Sequence, residues 1–199
     1  IPIGKWVLDE ACRQAKAWQD AGHSALKVSV NVSTVQFRQP DLVEQVQEAL
    51  NKSVLEAEWL ELEVTESVFL GRDADRVCHI LQRLSDAGIS IALDDFGTGY
   101  ASLSHLKQFP IDIIKIDQSF VRNMLEDAGD RAIVESVIFL AQRFAHQVLA
   151  EGVETMEHAR TLRQMGCNFV QSYGIARPMP ATEVLGWARK WQNRARSGK

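Results

Sequence analysis

The sequence predicts an α/β fold in which parallel strands and helices alternate, as in a TIM-like (β/α) barrel. Two observations favour this class. Apolar side chains recur in turn at helical and at strand spacing along the 199 residues, which is typical of a parallel sheet covered by helices. Polar side chains also recur at the carboxyl ends of the predicted strands, where barrels of this class carry their active sites.

The first part of the chain already shows the alternation. Residues 3–18 carry apolar side chains three and four positions apart, the spacing of an amphipathic helix, and Gly22 fits its end. The β-branched run at 27–32 predicts the first strand, and residues 40–50 return to helical spacing. Residues 60–66 alternate apolar and acidic side chains, which predicts a strand with its acids on one face.

The rest of the chain continues the pattern. Residues 73–87 predict a helix that Gly88 ends, and the apolar run after it closes on the paired carboxylates Asp94 and Asp95. The same two spacings predict, in order, a strand at 111–117, a helix at 130–145, a strand at 146–151, a helix at 155–165, a strand at 168–172 and a helix at 182–196.

The predicted strands number six, whereas a TIM barrel has eight strands in about 250 residues. The chain begins on Ile1 and Pro2, without an initiator methionine and directly in a helical pattern. We therefore interpret residues 1–199 as a single domain, about six of eight barrel strands, that lacks its N-terminal strands. An open doubly wound sheet is the alternative architecture.

The composition argues against several classes of partner. Apolar residues make up 46% and charged residues 24% of the chain, and the formal net charge is -4. There is no basic run for a nucleic-acid polymer or an anionic membrane, and no apolar run reaches the roughly 18 residues of a membrane span. The three cysteines are far apart and lack zinc-ligand spacing, which favours reduced thiols. We expect a cytoplasmic segment without membrane contact, whether or not its parent protein is membrane-anchored.

A polar residue or pair closes each predicted strand. The set is Asn31, Glu63 with Glu66, Asp94 with Asp95, Lys115 with Asp117, Glu151 with Glu154, and Gln171. Taken singly, each has an ordinary explanation, such as a helix cap at Asp94 or Asp95. Recurrence at the same position in six units instead favours one shared site, because the carboxyl ends of barrel strands converge on one mouth.

The residue types point to a metal. Asparagine, aspartate and glutamate offer hard oxygen ligands without cysteine or histidine, which suits Mg²⁺ or Mn²⁺ and argues against zinc. The adjacent Asp94 and Asp95 suit two ions, a recurrent arrangement in phosphodiester hydrolysis. Lys115 is placed to hold a hydroxide or a phosphate oxygen, and Glu151 to take a proton.

Six segments resemble the EAL domain family of cyclic di-GMP phosphodiesterases. They are SVNVS at 29–33, LEVTES at 62–67, LDDFGTGYASLSHLK at 93–107, IIKIDQSFV at 113–121, AEGVET at 150–155 and VQSYGIARPMP at 170–180. The match extends over nearly the whole chain in the same order, and its DDFGTGY and AEGVET segments are the most specific.

This resemblance implies a modified TIM barrel that hydrolyses cyclic di-GMP to the linear dinucleotide pGpG with Mg²⁺ or Mn²⁺. The implied metal ligands are Asn31, Glu63, Asp94 and Asp95, the last for a second ion. The resemblance implies that Lys115 orients the attacking water, and it leaves Glu151 as either a general base or a second-metal ligand.

Further residues receive supporting roles from the resemblance. Glu66 fixes the loop after Asp95, Glu154 is a supporting carboxylate, and Gln171 is a metal-side or substrate-side amide. Asp117, Arg177 and Pro178 are implied to bind substrate or to support the site. The loop links dimerisation to metal binding in the family, so a homodimer is expected through it; its first residues are Phe96, Gly97, Thr98, Gly99 and Tyr100.

The chain also departs from the family pattern. The Glu-Ala-Leu motif, whose glutamate is a metal ligand, is expected upstream of Ile1, together with the first strands and an arginine-bearing segment that contacts the nucleotide. Ser172 stands where the family commonly has glycine. We expect weak or no activity from these 199 residues alone, and sensor or cyclase domains are compatible with a longer parent chain. The alternatives are a silent cyclic di-GMP receptor or regulatory domain, and a shortened barrel that pairs with another chain.

Overall fold

A computed structural model describes residues 2–23, 26–69, 73–99 and 103–196. Its centre is a sheet of six parallel strands that pair in chain order. The strands are β1 (Val28–Asn31), β2 (Leu60–Thr65), β3 (Ser90–Phe96), β4 (Ile113–Ile116), β5 (Gln147–Glu151) and β6 (Phe169–Gln171). A doubly wound sheet reverses its strand order at a switch point, so this sequential order excludes that alternative and fits consecutive barrel strands.

Helices follow every strand of the sheet, as predicted. Within the described ranges they are α1 (Pro2–Asp20), α2 (Thr34–Phe37), α3 (Leu42–Ser53), α4 (Ala74–Asp86), α5 (Leu103–Gln108), α6 (Gln118–Asn123), α7 (Ala128–Arg143), α8 (Met156–Met165) and α9 (Ala181–Arg196). Two short 3₁₀ helices, Ala57–Trp59 and Glu66–Phe69, flank β2.

The long elements agree with the prediction to within a few residues, and their caps explain the shifts. The helix predicted at 130–145 begins earlier because the Asp127 carboxylate accepts the backbone N–H groups of Gly129 and Asp130 at 2.7 and 2.9 Å. Helix α8 ends at Gly166, whose φ of 98° is a left-handed conformation that glycine adopts without strain. The sequence reasoning did not predict α2, α5 and α6, which are too short to show a helical period.

The strand register sorts apolar and polar side chains onto opposite faces of the sheet. Leu62 aligns with Ile91, and Leu93 aligns with Ile114; all four are fully buried in the core formed with the helices. Burying each such side chain contributes about 1.5–3 kcal/mol. Because successive residues of a strand point to opposite faces, the neighbours of these residues, including Lys115, lie on the other face.

Two predictions drawn from the composition can be compared with the structure. All three cysteines are free thiols, and burial raises the pKa of the Cys12 thiol to about 11. Among the helices of the described ranges, none is long and apolar enough to cross a membrane.

Candidate active site

The end of β3 brings Asp94 and Asp95 to the same place. The register between β3 and β4 is irregular between Leu93 and Phe96, and Asp95 has a φ of 54°, a left-handed conformation that residues other than glycine seldom adopt. The Asp95 N–H donates to Asp94 Oδ1 at 3.1 Å. In a regular strand two adjacent side chains point apart, so this bulge is what lets both carboxylates reach one site.

Lys115 is the cation at the centre of the site. Its side chain is only 3% exposed, and its Nζ lies 3.1 Å from Glu63 Oε2, 2.9 Å from Asp94 Oδ1 and 2.8 Å from Glu151 Oε1. Burial by itself lowers the pKa of Lys115, but the carboxylates around it outweigh burial, so the pKa lies above its ordinary value. The three carboxylates come from β2, β3 and β5, so one ammonium group joins three strands.

Asn31 and Glu63 extend the site towards β1. The Asn31 Nδ2 donates to Glu63 Oε2 at 3.1 Å, the same oxygen that contacts Lys115. Burial raises the pKa of Glu63, and Lys115 offsets part of that effect. Asn31 therefore lies in the predicted site, but in this structure it acts as a donor to Glu63.

Three carboxylates form a cluster that fits a cation. One oxygen each from Asp94, Asp95 and Glu151 lies within 4.8 Å of the others. Burial first, and then the charges of Asp94, Asp117 and Glu151, raise the pKa of Asp95. Carboxylates here outnumber the single ammonium of Lys115, and their hard oxygens are ligands that Mg²⁺ and Mn²⁺ prefer. The donor set therefore fits the predicted metal.

Asp117 caps the helix that follows β4. Its Oδ1 accepts the backbone N–H of Ser119 at 2.9 Å as well as the Ser119 hydroxyl, and its carboxylate is close enough to Asp95 to raise the pKa of that residue. Burial alone raises the pKa of Asp117, but these hydrogen bonds prevail and lower it. Asp117 thus caps α6 and adds negative charge beside Asp95.

Glu66 holds the loop that follows Asp95. The buried Glu66 accepts the Gly97 N–H on Oε1 at 2.7 Å. A Cβ at Gly99 would collide with Glu66 Oε2, so this close approach requires glycine. The Thr98 hydroxyl donates to the Asp95 carbonyl at 2.8 Å. Phe96 ends β3 as a buried side chain, and the predicted loop residue Tyr100 lies outside the described residues.

The loop between β5 and α8 packs against α6. Gly152 has a φ of 67°, and a Cβ there would lie 2.6 Å from Gln118 Cβ and 3.2 Å from its Cα. The predicted Glu154 forms an ion pair with Arg122 at 3.1 Å, with both side chains about half exposed. Glu151 is therefore followed by a loop that is held against the neighbouring helix.

A cleft of about 700 Å³ adjoins Glu151. The predicted residues Gln171, Arg177 and Pro178 line it, and the Arg177 guanidinium lies 5.6 Å from the centroid of the Tyr173 ring. Gln171, the last residue of β6, is exposed, and it aligns with Glu151 across the sheet. A smaller cavity of about 270 Å³ lies between α2 and α4, and none of the predicted site residues lines it.

Gln118 and Arg122 also line the cleft of about 700 Å³ beside Glu151. The sequence analysis assigned no role to either residue. Both lie on α6, in a stretch to which no element was assigned. A signal was present, because Asp117 followed two positions later by Ser119 is a helix N-cap pattern.

A family model described as the EAL domain matches residues 1–178. The bifunctional diguanylate cyclase/cyclic di-GMP phosphodiesterase MucR of Pseudomonas aeruginosa is 45% identical over 93% of this chain and 27% of its own length. The cyclic di-GMP phosphodiesterase PdeR of Escherichia coli is 36% identical over 98% of this chain and 29% of its own length. The chain thus spans only about a quarter of the curated relatives that it matches.

Solved structures give the same result for the fold. The PaMucR phosphodiesterase in its c-di-GMP complex superposes with a TM-score of 0.88 at 45% identity, over 92% of this chain and 74% of that one. The EAL domain of Mycobacterium smegmatis DcpA gives a TM-score of 0.88 at 38% identity, over 94% of this chain and 84% of that one. The prediction of an incomplete TIM-like barrel is confirmed, and the chain belongs to the EAL domain family.

Proposed function

We propose that this chain forms the greater part of a phosphodiesterase domain that hydrolyses cyclic di-GMP to the linear dinucleotide pGpG with the help of a divalent cation. One observation carries the proposal. The buried Lys115 contacts three carboxylates at 2.8–3.1 Å beside the cluster of Asp94, Asp95 and Glu151. The names of MucR, NbdA and PdeR, which all contain cyclic di-GMP phosphodiesterase, support it.

The proposed cation is held mainly by the oxygens of Asp94, Asp95 and Glu151, with Glu63 and Asn31 beside them. When bound, Mg²⁺ or Mn²⁺ supplies Lewis-acid polarisation of the phosphodiester and makes a coordinated water more acidic. We propose two ions, because the bulge at Asp95 presents a second carboxylate next to Asp94.

The protein's own groups have distinct parts in this proposal. Lys115 holds three carboxylates in position before substrate arrives, so the reaction does not bear the cost of ordering them. Its ammonium group orients the attacking water and neutralises charge on a phosphate oxygen. Glu151 accepts the proton of that water or joins the ligands of the second ion. Glu66 fixes the Gly97 backbone and with it the loop after Asp95.

The cleft beside Glu151 suits a dinucleotide. Its volume of about 700 Å³ lies within the usual range of small-ligand sites, about 300–1,000 Å³. Arg122 and Arg177 offer positive charge to phosphate, and the ring of Tyr173 offers a stacking surface to a base. We propose that Gln171, Arg177 and Pro178 contact the nucleotide here.

Three further assignments belong to the same proposal. In the described ranges β1 pairs with β2 and β6 with β5, which leaves two sheet edges for further strands of a longer chain to join. The loop 96–106 is proposed to form a homodimer contact. The free thiols suit the reducing cytoplasm.

The test is turnover of cyclic di-GMP by a longer chain that restores the upstream segment. We expect this chain to convert cyclic di-GMP to pGpG, as monitored by chromatography. The conversion should require Mg²⁺ or Mn²⁺ and should be abolished in Lys115→Met. A folded longer chain without turnover would contradict the proposal. Tight binding of cyclic di-GMP without cleavage would favour the receptor function instead.

A further inference from the structure

His158 is a buried histidine of α8 that the site described above does not include. Its side chain lies in the first turn of the helix and is buried. The Nε2 atom lies 3.2 Å from the carbonyl oxygen of Arg122, and the Nδ1 atom lies 2.9 Å from the hydroxyl of Thr155. One imidazole thus connects the start of α8 with α6, which lies 36 residues earlier in the chain.

The partners fix the state of the ring. A carbonyl can only accept, so Nε2 carries the proton and donates to Arg122. In the neutral ring Nδ1 accepts from the Thr155 hydroxyl, whose oxygen in turn accepts the His158 backbone N–H at 3.2 Å. Both ring nitrogens are satisfied, and Arg122 lies near the end of a short helix, where carbonyls lack partners within the helix.

Among the described residues, this hydrogen bond adds to two other contacts between α6 and the segment that joins β5 to α8. The first is the close approach of Gly152 to Gln118, and the second is the Arg122–Glu154 ion pair. The ion pair is half exposed and contributes little to holding the loop. The His158 side chain is buried, so its part-buried hydrogen bond is less exposed to solvent than the ion pair, and a hydrogen bond is electrostatically stronger where less water surrounds it.

The two elements that His158 joins both lie close in sequence to the proposed site. Glu151 directly precedes the loop, and Asp117 begins α6 beside Asp95. A shift of the loop relative to α6 therefore moves Glu151 relative to Lys115 and Asp95. We propose that His158 is a positioning residue that holds Glu151 at the distance the site requires, an inference that rests on the proposed function.

The competing explanation is that His158 only stabilises the fold. Substitutions that keep different hydrogen bonds of the imidazole distinguish this explanation from a positioning role. The amide nitrogen of glutamine occupies the place of Nε2 and still donates to Arg122. Asparagine places its polar atoms near Nδ1, so it keeps Thr155 and loses Arg122. Leucine fills the volume and makes neither bond.

The experiment measures His158→Gln, His158→Asn and His158→Leu in the chain used for the turnover assay, well below each melting temperature. For the asparagine and leucine variants we expect Mn²⁺ affinity and kcat to fall about tenfold, as is usual when a group behind a metal ligand is lost. KM should change less than kcat, and the glutamine variant should stay within about twofold of wild type in both quantities. Hydrogen exchange of the Gly152 amide, which donates to the Gln171 carbonyl, should quicken only in the asparagine and leucine variants.

His146→Leu is the matched control, because it makes the same change at the amino end of β5. It should alter stability without altering Mn²⁺ affinity. If the asparagine and leucine variants match wild type in Mn²⁺ affinity and in Gly152 exchange, the inference is wrong whatever the turnover. If wild type binds Mn²⁺ but does not cleave cyclic di-GMP, the proposed function fails, while a loss of Mn²⁺ affinity in these variants still supports the role of His158. If wild type binds no Mn²⁺, equal Gly152 exchange in all variants overturns the inference.

Discussion

Two clusters of lysine and carboxylate side chains in this molecule have similar distances and opposite character. In the site cluster, Lys115 contacts Glu63, Asp94 and Glu151 at 2.8–3.1 Å, and Lys115 is 3% exposed. In the surface cluster, Glu48 contacts Lys5 and Lys52, each at 2.8 Å, and all three side chains are at least 40% exposed.

The two clusters differ in the balance between positive and negative charge and in the burial of their side chains. The site cluster has excess carboxylate in a place from which water is largely excluded, where repulsion is strong and a divalent cation has most to gain. The surface cluster has excess ammonium in water, where charges are screened and ion pairs add little. Distances alone would not separate the two, whereas charge excess together with burial identifies the site.

The largest expected effect comes from removing the ammonium of the site cluster. Lys115→Met leaves three carboxylates facing one another, so we expect metal-free protein to lose about 3–5 kcal/mol of unfolding free energy. Added Mg²⁺ or Mn²⁺ should restore part of this loss. Urea unfolding with and without a chelator measures both effects, and Lys5→Met in the surface cluster is the control. Equal losses in the two variants would abolish the distinction between the clusters.

Two glycines, one beside the site and one remote from it, allow a second comparison. Gly152 beside the site and Gly22 after α1 both have positive φ, 67° and 88°, but a Cβ at Gly22 meets nothing within 4 Å, whereas one at Gly152 meets Gln118. We expect Gly152→Ala to cost about 2–4 kcal/mol, because left-handed strain and overpacking add. Gly22→Ala should cost about 1 kcal/mol for the strain alone. Thermal melting of both variants provides the measurement, and similar melting temperatures would mean that the loop is not held against α6.

Removing a negative charge from the carboxylates of the site should stabilise the metal-free protein, whereas the two previous changes destabilise it. Burial and neighbouring carboxylates raise the pKa of Asp95, so its charge is unfavourable when no cation is bound. We expect Asp95→Asn to raise the unfolding free energy of metal-free protein slightly and to weaken Mn²⁺ binding at least about tenfold. Calorimetric titration and urea unfolding test the two parts. Asp41→Asn is the control, because Asp41 is an exposed N-cap of α3 whose carboxylate makes no cap hydrogen bond. It should change neither the unfolding free energy nor the Mn²⁺ affinity. A destabilised Asp95→Asn with unchanged Mn²⁺ affinity would contradict the assignment.

The sequence predicts the members of the site better than their arrangement. Alternation in β2 places Glu63 opposite the apolar face, and parallel strands bring Lys115 and Glu151 to the same edge; both follow from periods that the sequence displays. Nothing in two adjacent aspartates says that Asp94 contacts Lys115 while Asp95 lies beside Asp117. That choice depends on the bulge in β3, which arises from pairing with β4.

The contacts through α6 were out of reach for a similar reason. Six residues are too few to show a helical period, so Arg122 could not be placed on a face. The bond from His158 to the Arg122 carbonyl joins residues 36 positions apart. It involves a backbone atom, which has no signature in residue types. Tertiary packing, rather than local propensity, determines this part of the site.

The smallest expected effect lies in the surface cluster and depends on pH. Hydrogen bonds from Lys5 and Lys52 lower the pKa of Glu48 from 4.5 to about 2. A carboxylate with a lowered pKa contributes stability that is fully present above its unfolded pKa and is lost as pH falls through the folded one. The small deficit of Glu48→Gln relative to wild type should therefore be constant well above pH 4.5, shrink as pH falls below that value, and vanish only below about pH 2. Urea unfolding across this range measures it, and 1 M NaCl at pH 7 should remove most of the deficit, because the Debye length falls to about 3 Å. A deficit that survives both acid and salt would show that Glu48 stabilises α1 against α3 by packing rather than by charge.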